Sequence, residues 1–365
     1  MANSNFTIDG SILEGGGQII RISLTCSSIC KLPISIENIR GKRPKPGLQN
    51  QHLASVKLLK DVCNAELTGA SLQSISLRFA PKTVNHGHYE VDSKTAGSVC
   101  LIIQSIAPTL LFAKEMSTLT LIGGTDAEFA PPIDYYRNIV PFYLAKMGIE
   151  ISINLIKRGF YPRGGGLVSV DIERINDTIT PINITDRGQI IKVASECFVA
   201  GTLPISVAKQ MCTAIEKVIK SNKNYRHLTI LSNVYKETPN KAIGNGSGCM
   251  LTVETSLGCR FGFNIVGKRD LSGEDMGKNV AEQFIQFFEN SNGCVDIHMQ
   301  DQILIFMALA KGKSSIKCSE LSLHSQTCIY VLENLIGVKF DIQTVEKSKD
   351  VIVECEGLGI TCKEY

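Results

Sequence analysis

Along this chain, short runs that alternate apolar and polar residues give way repeatedly to stretches with apolar residues every three or four positions. The run LPISIENI (32–39) reads as a strand, and Leu53, Val56, Leu59 and Val62 place a helix over 52–63. Strands are expected next at 72–79 and 87–92, then a buried helix from about Thr95 and a strand at 119–124. A helix near 133–146 and strands at 149–156 and 166–172 follow. The C-terminal part returns to the theme with helices at 301–310 and 326–336 and strands at 338–344 and 350–357. The repetition lies in pattern and not in identity. It predicts an α+β chain of repeated units, each with two helices on one face of a small sheet.

Between about Arg187 and Asn290 the texture changes. A strand over 188–201 leads to a helix from Pro204 to Lys220, then to the polar SNKNYRH, a strand at 228–234 and the glycine-rich AIGNGSGCMLTVETS. The expected organisation is a smaller α/β domain at 187–286, inserted into a larger domain formed by 1–186 and 287–365. A length of 365 residues suits two or three such units.

Apolar residues make up 44% and charged residues 20%, enough to bury real cores. A net charge of +3 imposes no whole-molecule field, so any RNA or phosphate site must be a local cluster. Thirteen cysteines are an odd number without a CxxC, several within apolar runs, which points to reduced, buried thiols and an intracellular protein. None has histidines at zinc-ligand spacing, and there is no HExxH. The start MANSNFTIDG has neither the basic nor the apolar region of a secretory signal. The most apolar run, Val99 to Ala113, is broken by Gln104 and Pro108 and is shorter than the ~20 residues of a membrane span. A soluble protein without a membrane partner is expected.

Chemistry is suggested by LEGGGQIIR (13–21) and FYPRGGGLVSV (160–170). Neither triplet is a P-loop or a dinucleotide fingerprint, because GxxxxGK[ST] and GxGxxG are missing. The first has chemical company: Glu14 suits a divalent ion beside substrate oxygens, and Arg21 suits phosphate. The second carries Arg163 but reads as a turn. The loop IRGKRPKPGLQNQHL (39–53) holds Arg40, Lys42, Arg43 and Lys45, then Gln51 and His52 at a helix start, where backbone N–H groups favour anions. In IGGTDAEFAPPIDYY (122–136) the carboxylates Asp126, Glu128 and Asp134 suit either a metal or ribose contact or a capped loop. Of six histidines, His86, His88 and His227 read as structural or surface residues. His52, His298 and His324 remain. His324, in SELSLHSQTCIYVLENL, is expected to close a short strand at the mouth of a helix. A lone histidine there reads either as a capping or packing residue or, its ring kept neutral by the helix end, as a nucleophile.

Seven segments, DGSILEGGGQIIR, RPKPGLQNQHL, KTAGSVC, GGTDAEFAPPIDY, RGFYPRGGG, QDQILIFMALA and LHSQT, occur in the order seen in RNA 3′-terminal phosphate cyclases. The chain resembles that family over nearly its whole length. The resemblance implies a large domain of three repeats, each like the C-terminal domain of translation initiation factor three, with a small domain inserted late. It implies ATP and a divalent metal, Mg2+ or Mn2+, and an RNA bearing a 3′-phosphate that becomes a 2′,3′-cyclic phosphate. By motif, His324 would be the nucleophile that takes AMP, and Glu14 the metal-binding carboxylate. Arg21, Arg40, Arg43, Gln51 and His52 would contact phosphates. Gln104 would touch the nucleotide, while Pro131, Asp301 and Gln302 would line its adenine and ribose. His298 stands where relatives carry tyrosine, so another ring would pack there. The resemblance also implies a nuclear location, with the cytosol as the alternative. A rival reading is the cyclase-like ribosome-biogenesis protein, which shares the fold without the enzymology; the histidine of LHSQT favours the enzyme.

Overall fold

The computed structural model describes residues 6–362. Residues 1–5, where the stretch read for a secretory signal begins, lie outside them. The chain starts with β1 (Phe6–Asp9), α1 (Gly17–Cys30), β2 (Ile34–Glu37), α2 (Asn50–Cys63), β3 (Glu66–Thr68) and β4 (Leu77–Ala80). The four strands form one sheet in the order β1-β2-β4-β3, with the first pair parallel and the others antiparallel.

A second pass gives β5 (His88–Asp92), α3 (Val99–Leu110), β6 (Ser117–Gly123), α4 (Ile133–Asn138), α5 (Val140–Lys146), β7 (Ile151–Gly159) and β8 (Gly166–Ile172). Its strands lie in the order β5-β6-β8-β7, again with only the first pair parallel. A third begins with β9 (Asn183–Ile184) and is then interrupted. The interruption comprises β10 (Ile190–Ala200), α6 (Ile205–Ser221), β11 (Ile230–Lys236), β12 (Ala242–Ile243), β13 (Gly246–Thr255), β14 (Arg260–Val266) and α7 (Gly273–Asn290). Four of these strands make their own sheet, β11-β10-β13-β14, against which α6 and α7 pack, while β12 pairs with β7. The third pass resumes with α8 (Ile297–Leu309), β15 (Lys311–Cys318), α9 (Leu323–Ile336), β16 (Phe340–Thr344) and β17 (Val351–Leu358). Its sheet runs β9-β15-β17-β16. One strand order, first-second-fourth-third, thus occurs three times.

The central helices are α1, α3 and α8, buried almost all round. Gly15 turns the chain at φ 57° and Gly16 forms the N-cap of α1, which packs on α2, α3 and α9. Asp296 caps α8, accepting hydrogen bonds from the backbone of His298 and Met299, and Ser322 caps α9 by accepting one from Ser325. These caps satisfy N–H groups that a buried helix end would otherwise leave without partners.

Several expectations need correction. The strand expected at 32–39 is confined to 34–37, because Asn38 and Arg40 adopt left-handed conformations that turn the chain into the basic loop. Of 72–79 only the end is strand, and the helix expected over 133–146 divides at Ile139. His324 does not close a strand: β15 ends at Cys318, and His324 is the second residue of α9. The second glycine triplet is the hairpin turn between β7 and β8. Ten of the thirteen cysteines are buried. No helix among the described residues is long and apolar enough to cross a membrane.

Candidate active site at clustered helix N-termini

The first turn of α1 brings together residues that lie far apart in the sequence. Buried Arg21 donates from Nε to Gln104 Oε1 at 2.8 Å and from Nη2 to Gln18 Oε1 at 2.7 Å. Both glutamines in turn donate to Asp301 Oδ2, Gln18 at 2.8 Å and Gln104 at 2.9 Å. The Arg21 guanidinium is therefore held by a closed ring of side chains from α1, α3 and α8. Its Nη1 faces Gly17, where a Cβ would come within 2.7 Å of it and within 2.6 Å of His52 Nε2. Glycine at 17 keeps both groups open to whatever occupies the helix end. Burial lowers the Arg21 pKa from its ordinary value, with Asp301 opposing, and raises that of Asp301, with His324 and the Gln104 amide opposing.

Glu14 folds over the same helix end. Its Oε1 accepts from Arg43 Nη2, and its buried Oε2 has no hydrogen-bond partner. The Glu14 amide donates to Thr327 Oγ1 at 3.2 Å, which ties this turn to α9 one helical turn beyond His324. His324 itself is exposed at the N-terminal end of α9. The start of α2 joins them through His52, and Gln51 Oε1 accepts from the Ser98 amide at the start of α3, at 3.1 Å. Arg40 braces its own loop, donating from Nη1 to the carbonyls of Lys45 and Gly47.

On the other flank, Tyr136 donates to Gln302 Oε1 at 2.8 Å. Tyr135 donates to Asp296 Oδ1 at 2.6 Å, and its ring stands edge-on to His298 with centroids 5.5 Å apart. Pro131 is buried in the loop that leads into α4. Gln104, Asp301 and Gln302 border a narrow cavity of about 20 Å³. A larger one of about 160 Å³ lies further along α9 against β1 and touches none of these residues.

The carboxylates of the 122–136 loop have another task. Asp126 and Asp134 surround buried Arg158, with closest approaches of 3.3 and 2.8 Å, and Glu237 accepts from its Nε at 2.9 Å. Phe198 lies beneath the same guanidinium, 3.8 Å from ring centroid to carbon. Burial works against the Arg158 charge, but Asp126 and Asp134 outweigh it and raise its pKa. Glu128 pairs instead with Lys268 at the surface. Neither the metal nor the ribose alternative for these three acids fits such pairing.

The sequence model of the family described as RNA 3′-terminal phosphate cyclase matches residues 12–342. An RNA 3′-terminal phosphate cyclase of Drosophila melanogaster is 36% identical over 361 residues, 98% of each chain. One of Pyrobaculum aerophilum is 37% identical over 352 residues, covering 96% of this chain and 98% of its own. The chain belongs to the RNA 3′-terminal phosphate cyclase family. A probable cyclase of Dictyostelium discoideum, 36% identical over 364 residues, covers 97% of this chain and 83% of the relative.

In this member of the cyclase family, two further glutamines shape the site. Gln18 completes the ring around Arg21. Gln300 Oε1 accepts from the Ser322 amide and Ser325 Oγ, both at 3.1 Å, and so fixes the turn that presents His324. A glutamine one turn before Arg21 is the sequence signal that was there to find; Gln300 adjoins Asp301 but gives no such sign.

His52 yields a pH prediction. Its pKa is held down to about 3, first by burial and then by the charges of Arg21 and Arg40. Nδ1 accepts from the Gln49 amide at 3.2 Å, so the neutral ring carries its proton on Nε2, toward Gly17. An unfolded histidine takes up its proton near pH 6.5. His52 therefore contributes stability that is complete above that pH and is lost as the pH falls toward 3. The loss is at most about 1.4 kcal/mol per pH unit. His52→Gln should flatten the pH dependence of the urea midpoint between pH 6.5 and 4 by up to one proton. An unchanged slope would mean that the ring is protonated in the folded protein.

Proposed function

We propose that this chain converts the 3′-terminal phosphate of RNA into a 2′,3′-cyclic phosphodiester at the expense of ATP, through an AMP carried on His324. The observation that carries the reading is an exposed imidazole in the first turn of α9, joined through Thr327 to the Glu14 turn and set near Asp301 of the Arg21 ring. His324 then lies one helical turn from the bond between Thr327 and Glu14, whose own turn opens the end of α1 that no side chain caps and that carries Arg21.

The chemistry follows from the leaving-group problem. A phosphate monoester has only oxide or hydroxide to expel, so its 2′-OH cannot close the ring unaided. A neutral ring nitrogen of His324 attacks the α-phosphorus of ATP, and pyrophosphate leaves. A 3′-phosphate oxygen of the RNA takes the AMP from nitrogen, forming an anhydride. The adjacent 2′-OH then attacks the phosphorus of the 3′-phosphate, loses its proton and breaks the anhydride, so that AMP leaves and the 2′,3′-cyclic diester remains. Arg21, Arg43 and the neutral His52 donor serve the phosphates, with Arg40 and Gln51 shaping the loop that presents them. Tyr135, His298, Pro131, Asp301 and Gln302 serve the nucleoside, and Gln104 acts through Arg21 and Asp301. His298 is then the ring that packs where relatives carry tyrosine.

A divalent cation, Mg2+ or Mn2+, fits Glu14, whose buried Oε2 lacks any partner. Among the described residues no cluster of three or more His, Cys, Asp or Glu could hold a metal, so phosphates and water would complete its ligands. When bound, it would offset charge on the phosphates. In the same reading the three like-ordered sheets are repeats of one ancestral unit akin to the C-terminal domain of translation initiation factor three, and 187–286 is an inserted domain.

Incubation of the protein with α-labelled ATP, metal and three RNA ends tests the proposal. A 3′-phosphorylated strand should gain a phosphatase-resistant cyclic end, a 3′-OH strand should be inert, and a 2′-deoxy 3′-phosphate should stall with AMP attached. Cyclisation of the deoxy strand, or its failure to accept AMP, would refute the mechanism.

A further inference from the structure

Phe129, 94% exposed, and Tyr161, 82% exposed, are the two most exposed large hydrophobic side chains among the described residues. Single exposed aromatics are ordinary, but these two tip loops that share a root. The Thr125 amide donates to the Gly159 carbonyl and the Gly159 amide to Thr125 Oγ1, each at 3.0 Å. The Ile133 amide donates to the Thr125 carbonyl at 2.9 Å and closes a loop with Phe129 at its midpoint. The Gly164 amide donates to the Phe160 carbonyl at 2.8 Å and closes the hairpin that displays Tyr161, Pro162 and Arg163.

This pair of loops is continuous with the candidate active site. A Cβ on Gly164 would stand 2.3 Å from the Thr95 carbonyl, so the hairpin lies directly on the 95–97 turn. That turn lies on Gln51: a Cβ on Gly97 would be 3.0 Å from Gln51 Cβ, and Ser98 donates to the Gln51 side chain. On the other side Phe129 precedes Pro131 by two residues and leads into α4, which carries Tyr135 against His298. Ile243 pairs with Gly159, and Lys268 reaches Glu128 at 2.5 Å, so residues near 241 and 268 border the same surface. Arg163, Lys241 and Arg269 face solvent there, with Asp270 and the Lys268-paired Glu128 the acids beside them.

We propose that Phe129 and Tyr161 form a stacking platform for single-stranded RNA upstream of the last two nucleotides, with Arg163, Lys241 and Arg269 following its backbone. The inference rests on the cyclase reading and extends it to the substrate's length. Aromatic faces accept any base and exposed cations accept any phosphate, which suits an enzyme that acts on ends and not on sequences.

The test compares a 3′-phosphorylated dinucleotide with a ten-nucleotide strand. In the Phe129→Ala/Tyr161→Ala double variant, affinity by fluorescence anisotropy and cyclisation kcat/KM should fall about tenfold or more for the ten-mer. The dinucleotide should be cyclised as by wild type, AMP labelling without RNA should not change, and Tyr161→Phe should behave as wild type. A double variant that handles both lengths as wild type does, or loses both equally, overturns the platform and leaves the cyclase reading standing. A wild-type protein that takes no label from ATP overturns that reading, and the platform with it.

Discussion

His324→Ala should lose all labelling by α-labelled ATP and all cyclisation of a 3′-phosphorylated strand, while its unfolding transition stays at the wild-type temperature. The fold should be indifferent because the side chain is exposed and the cap of α9 is made by Ser322, not by His324. The label on wild type should be acid-labile and alkali-stable, as a nitrogen–phosphorus bond is. A synthetic RNA end already carrying AMP should still be cyclised by the variant, since that step calls on phosphate contacts and not on this imidazole. Wild-type labelling by the variant, or a label mapping to His52 or His298, would remove His324 from its role.

The largest effect on stability is expected at Arg158. Arg158→Met leaves Asp126 and Asp134 buried without their cation and removes the charge that rests on Phe198. Removing one partner of a buried pair typically costs about 3–5 kcal/mol. A lowering of the unfolding temperature by roughly 4–7 °C is expected in calorimetry for a chain of this length. Adding Asp126→Asn and Asp134→Asn to the same variant should recover part of the loss, because the uncompensated charges then disappear. A drop of less than about 2 °C for Arg158→Met alone would show that the two aspartates bind protons instead of pairing with arginine.

The sequence announced the amphipathic and alternating elements and concealed the rest for physical reasons. The pattern of 166–172 and the helix near 205–221 show one buried side and one wet side. Helix α1 shows no such contrast: all but two of its residues are buried, and its serines, threonine and β-branched isoleucines are weak helix formers. A glycine triplet in front of it suggested a turn, which it is, but hid the helix that the turn opens. Helix α7 had the signal, a Ser272 cap with Asp275 and then Met276, Val280, Phe284 and Phe288 four residues apart. It was obscured by the glycine-rich and charged stretch before it.

The candidate site was legible where motifs name residues that the fold brings together, as with Glu14 and Arg43. Partnership across the fold was not. Nothing in GGTDAEFAPPIDY or IKRGF says that Arg158, in a strand that reads as charged, is the cation for Asp126 and Asp134. Likewise, Gln104 stood out as a polar residue in an apolar helix. Its immediate partners are Arg21 and Asp301, across the fold from it.

The interruption between β9 and α8 sets an order of events during synthesis. Ser314 Oγ accepts from the Ile182 amide across 132 residues, beside the pairing of Asn183–Ile184 with Ser315–Ile316. Apart from β12, the strands that pair in the first two sheets leave the ribosome within a few dozen residues of one another, whereas β9 must wait for everything from β10 to β15. Loop closure of that length is slow relative to local pairing. Because α8 and α9 bring Asp301 to the Arg21 ring and Thr327 to the Glu14 turn, the nascent chain keeps the two halves of the candidate site apart until that last closure. On the proposed reading, a chain cut short before α9 lacks His324 and should take no label from ATP.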